Sequence, residues 1–178
     1  MSSENSPRAR LPHPWLPVFA PATGRPAAAV YLRTHLYGAA VGRRLLDRCI
    51  RALDGPERVR LVPLGPEFDD EIATARRLLA GITPIGTPGR TLLGLGAGAG
   101  LRLVPAGPRL VDPLSRLALL EALRTLVVAK RSMWVLLAEV GHLGEENEAE
   151  LRELAHRASA QEALLESLRL EHGRRALG

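Results

Sequence analysis

The sequence predicts an all-α protein: a four-helix bundle with a long crossover between its second and third helices, and a short extra helix within that crossover. Three observations carry this. Residues 113–140 read as one helix that is apolar around most of its circumference, so several other helices must cover it. Three further stretches, about 26–53, 67–82 and 145–176, repeat apolar residues at helical spacing. Leu and Ala dominate, and runs of β-branched residues are scarce.

Residues 1–25 read as a flexible, Pro-rich N-terminal arm, and residues 26–178 as the bundle. Within the arm, Trp15, Leu16, Val18 and Phe19 are apolar enough to dock on the bundle or on a partner. The first long helix is expected from Pro26 or Ala27 to Leu53, before Gly55 and Pro56. Its inner face is Leu32, His35, Gly38, Ala39, Gly42, Leu46, Cys49 and Leu53. The small residues there either let another helix approach closely or leave room for a small ligand.

Residues 54–66 contain Pro56, Pro63, Gly65 and Pro66 and read as a connection with at most a short helical turn. The second long helix is then expected from about Glu67 to Ile82, with Phe68, Ile72, Ala75, Leu79 and Ile82 inward and Glu71 at the edge of the apolar arc. The crossover follows, at 83–112. Gly94, Gly96 and Ala99 match a nucleotide-binding G-x-G-x-x-A, but no strand–turn–helix unit surrounds them. Residues 90–99 read instead as a short helix of small residues.

The third helix has a cap in Asp112, a first-turn proline in Pro113 and a stop in Gly141. Arg116, Arg124 and Arg131 mark its outer face. The last helix follows Gly144 and opens with Glu145, Glu146 and Glu148, as the helix dipole favours. Its inner face is Leu151, Leu154, Ala158, Gln161, Leu165, Leu168 and His172, with Glu162 on the flank.

A link of about thirty residues can run the length of the bundle, roughly 40 Å at the helical rise. That is the crossover of ferritin-like bundles. The strings VYLRTHLYGAAVGRRL, DPLSRLALLEAL and QEALLESLRLEHGRRAL also resemble a family of uncharacterised actinobacterial helical-bundle proteins, similar in layout to ferritin-like bundles. The resemblance covers most of residues 28–177 and implies a fold, with no established activity. Against it, Pro63, Gly65 and Pro66 shorten the second helix.

The net charge is +5, and of 24 basic residues all but Lys130 are arginine. The arginines are scattered over helix backs with no recognition motif, which disfavours nucleic acid. The longest apolar run, 117–128, is cut by Glu121 and Arg124, so no membrane span is expected. The single Cys49 excludes an internal disulfide and fits a reducing compartment, and no signal-peptide pattern is visible. A cytoplasmic protein is the expectation.

A di-iron site needs a Glu on each of two helices and Glu-x-x-His on the other two. Glu153 and His156 match that spacing but lie opposite the apolar stripe, as solvated surface. Counting helical rise from the bundle ends places Glu71, Glu121 and Glu162 at one height, as a candidate ligand or metal layer. His35 and Lys130 form a candidate buried polar layer, some 15 Å lower by the same count. Lys130 lies among Leu119, Leu123, Met133 and Leu137, so its charge must be paired or snorkel out. No catalytic triad or Cys–His pair can be placed, and no cofactor is expected. The leading reading is a non-enzymatic scaffold or protein-interaction module, as a homodimer or with another protein. Trp15, Phe19 and Trp134 are its candidate partner anchors. The alternative is a ferritin-like bundle that binds a divalent metal or small ligand through inward carboxylates.

Overall fold

The computed structural model describes residues 23–83, 112–141 and 143–178. The described residues are helical, with no strand among them. Four long helices, α1 (Gly24–Ala52), α3 (Leu64–Ile82), α4 (Pro113–Val140) and α5 (Glu148–Leu177), are joined by a short α2 (Gly55–Leu61) and a 3-10 turn at Glu145–Asn147. The short helix expected at 90–99 lies outside the described residues. So does the arm, except for Thr23, the N-cap residue of α1, and Gly24 and Arg25, which α1 takes in.

α4 has the bounds expected. The Asp112 carboxylate accepts hydrogen bonds from the backbone N–H groups of Leu114 and Ser115, at 3.0 and 3.1 Å. Gly141 closes the helix at φ +63°, a left-handed conformation open to glycine. All seven residues assigned to the inner face of the last helix are buried.

The region between α1 and α3 differs from expectation. The stretch read as a connection holds α2, whose Glu57 and Leu61 are buried. α3 begins at Leu64 rather than near Glu67, with Pro63 as its N-cap residue. Pro66 falls in the first turn, where a backbone N–H has no helical acceptor to lose. Gly65 is buried beside Arg43 of α1: a Cβ there would lie 3.6 Å from the guanidinium.

Contacts fix the helix directions. Arg25 donates to the Gly81 carbonyl at 3.3 Å, and Arg43 donates to Asp69 at 3.0 Å, so α1 and α3 are antiparallel. Arg116 reaches Asp54 at 3.4 Å, and Gly42 packs on Leu126, so α4 also runs against α1. Gly173 packs on Leu117, so α5 runs against α4. Thr83 and Asp112 therefore sit at opposite ends of the helices, here called the lower and upper ends.

The core falls into two clusters. The upper one includes Leu46, Cys49, Leu53, Leu61, Phe68, Leu120, Leu123 and Leu165. The lower one includes Leu32, Ala75, Leu78, Trp134, Leu137, Leu151 and Ala158.

Candidate functional site

Between the two clusters lies a buried polar layer. Glu71 projects from α3 with a side chain 2 % exposed, and Lys130 projects from α4 with one 15 % exposed. The Lys130 ammonium donates to Glu71 Oε2 and, at 2.5 Å, to Gln161 Oε1. It also sits 3.9 Å from the centroid of the Phe68 ring, a cation–π contact. Gln161 Nε2 donates to Glu71 Oε1 at 2.9 Å and to Glu67 Oε2 at 2.8 Å. Both Glu71 oxygens and both Gln161 polar atoms are thus engaged within the layer. Burial pushes the Lys130 pKa down, opposed by the Glu71 charge. A carboxylate in contact is what lets a lysine stay at this depth.

A cavity of about 70 Å³ adjoins this layer, between α1, α3 and α4. Its α1 wall is the half-buried His35, Leu36, Gly38 and Ala39 with the buried Gly42. The expected stripe of small residues thus leaves space beside His35 and Ala39, while at Gly42 it lets α4 approach. Tyr31 meets His35 edge-on, with ring centroids 4.5 Å apart. Burial lowers the pKa of His35, which favours the neutral imidazole. Trp134 lines the lower part; it is 1 % exposed, and its Nε1 is buried with no hydrogen-bond partner among the described residues.

The expected three-carboxylate layer is not assembled. Glu71 faces Lys130, and Glu162 lies between Arg124 at 3.0 Å and Arg131 at 3.2 Å. Glu121 is exposed and is met by Arg169 at 3.5 Å. Nor does Lys130 lie in a second layer far below Glu71; the two are in contact, and His35 lines the same cavity as both. The count from the helix ends went astray because α2 occupies the upper end, where Glu57 meets His172 at 3.0 Å and Arg60 meets Glu171 at 3.0 Å. α3 starts below it, and Glu71 is lowered accordingly. Among the described residues, no group of three or more His, Cys, Asp or Glu side chains is placed to hold a metal ion.

Other assignments also change. Arg124 and Arg131 face the α4–α5 seam, where they pair with Glu162, rather than open water. Trp134 belongs to the lower core, so a partner cannot reach it as an anchor. Trp15 and Phe19 lie outside the described residues. Glu153 and His156 are exposed. Cys49 is 1 % exposed, and burial pushes its thiol up to about 12, which makes it a packing residue.

Two features differ from the sequence reading. Glu71, a candidate residue placed there at the edge of the apolar arc, sits three residues after Phe68 and four before Ala75, which is the inner face itself. Glu57 is the other: it is buried at the upper end and engages His172 and, at 2.5 Å, Arg175. Its signal was the run Gly55-Pro56-Glu57, a first-turn proline followed by an acid, which is how a helix begins.

The described residues form a helical protein with a cross-helix ion network and an adjoining apolar cavity. No protein-family model, curated protein or solved structure matches the chain.

Proposed function

We propose that this chain is a non-enzymatic helical scaffold, a four-helix bundle of ferritin-like topology that associates with a second copy of itself. The helix directions support the topology: α1 and α5 run one way, α3 and α4 the other, and the link between α3 and α4 has to join opposite ends. A cytoplasmic location belongs to the same reading, supported by the lone, buried Cys49. No described helix is long and apolar enough to cross a membrane.

The observation that carries the interaction reading is a shallow groove between α4 and α5. Val135 and Leu136 are 47 % and 46 % exposed along it, and Ala155, His156 and Ser159 line it from α5. Val140 extends the same end of α4, at 41 % exposure. Arg131 and Glu139 also line the groove. Two copies of α4 packed antiparallel about Val135 would each cover the other's Val135, Leu136 and Val140, the self-complementarity that an isologous interface requires. Light scattering coupled to size exclusion tests this. The dimer mass is expected for wild type and the monomer mass for Leu136→Glu. A monomer for both at the highest soluble concentration would overturn the reading.

A further inference from the structure

The geometry points to the cavity between α1, α3 and α4 as a binding site for a small, uncharged, largely apolar molecule with one polar oxygen. Charge is the first constraint. Among the described residues, Glu71 and Lys130 are the charged groups on the wall, and they neutralise one another. Each Glu71 oxygen already accepts a hydrogen bond, from Lys130 or from Gln161, and the ammonium is shared among Glu71, Gln161 and the Phe68 ring. A charged ligand would lose its water and find no free counter-charge, which is costly in an apolar site. An uncharged one meets Leu126, Val127, Ile72 and Met133.

Two groups on the wall have no hydrogen-bond partner among the described residues. Among the described residues Trp134 Nε1 is a donor without a partner, and buried polar groups are seldom left so. His35 is half-buried at the α1 wall and is held toward its neutral form by burial, so it can donate or accept. A ligand oxygen is served by His35, while the Trp134 indole, which lines the space with its Nε1 covered, senses whether the space is filled.

Size is the second constraint. The space of about 70 Å³ is smaller than the roughly 150 Å³ cavity that encloses benzene. A single ring therefore enters only in part and leaves an edge along Gly38 and Ala39. The α1 side has room for this, because a Cβ added at Gly38 would meet nothing within 4 Å.

Phenol is the probe, with benzoate and benzylammonium as charged counterparts of similar shape. The readout is the indole N–H signal of Trp134 in the ¹⁵N-labelled full-length chain. Trp15 gives the other indole signal, so Trp15→Phe assigns the two. Phenol is expected to move the Trp134 signal saturably and to raise the unfolding midpoint by mass action. At the same concentration the charged probes are expected to do neither. Gly38→Leu, which fills the open space, is expected to keep the helical circular dichroism spectrum and abolish the phenol shift. Ala39→Leu serves as a second filling variant should the first fail to fold. An absent phenol response, an equal response to benzoate or benzylammonium, or a shift undiminished in the folded filling variant would overturn the assignment.

Discussion

Glu71 and Lys130 show how much depends on a partner at the level of single residues. Each charge is costly alone at its depth, and each is stabilised by the other and by Gln161. Removing one member of a buried pair leaves an unpaired charge and typically costs about 3–5 kcal/mol. Glu71→Ala is expected to fall in that range in urea unfolding. Glu71→Leu combined with Lys130→Met should cost less than the two single changes added together, because no charge is left orphaned. Additive losses would show that the pair contributes nothing as a pair.

His35 gives the pH dependence. Burial lowers its pKa below the ordinary 6.5, so the unfolded chain takes up the proton first. Stability contributed by the neutral ring is present above about pH 6.5 and declines as pH falls from there toward the lower folded value. Midpoints measured from pH 8 to pH 5 should fall for wild type and fall less for His35→Gln. The same slope in both would place the titrating group elsewhere.

At the scale of elements, what was legible was what is local. The bounds of α4 follow from Asp112, Pro113 and Gly141, and each acts within a few residues of itself. The inner face of α5 follows from spacing alone, because α4 covers it along its length. What was not legible depends on neighbours. Pro63 and Pro66 look like breakers until one knows that the first turn of α3 has room for them. Glu71 looks like an edge residue until Lys130 stands opposite. The Gly141 position gives a test of the local kind. Gly141→Ala should cost about 1 kcal/mol, the strain of a Cβ at positive φ. Gly38→Ala should stabilise by about 0.5–1 kcal/mol, since it sits inside α1 with open space around its Cβ. Opposite signs in parallel thermal melts are the expected result, and matching signs would contradict the assigned backbone conformations.

For the whole molecule, the polar layer divides the core. Above it, Leu46, Leu53, Leu61, Leu120, Leu123 and Leu165 belong to one cluster. Below it, Leu32, Leu78, Met133, Trp134, Leu137, Leu143, Leu151 and Leu154 are joined by the smaller Ala75, Ala138 and Ala158. The cavity lies in the same middle region and removes packing contacts there. A boundary of this kind lets the lower half open before the upper, since parts of a structure with less buried apolar contact open at lower cost. The chain carries one reporter in each half. Trp134 is in the lower cluster and reports by fluorescence once Trp15→Phe removes the other indole, while Cys49 is in the upper cluster and reports by thiol labelling. In urea, the Trp134 transition should come at a lower concentration than Cys49 exposure. Glu71→Leu, Lys130→Met and Gln161→Leu together replace the layer with apolar side chains and should bring the two transitions together. If the wild-type transitions coincide, the halves unfold as one unit and the layer is no boundary. If they stay apart after the layer is made apolar, the cavity alone is what separates them.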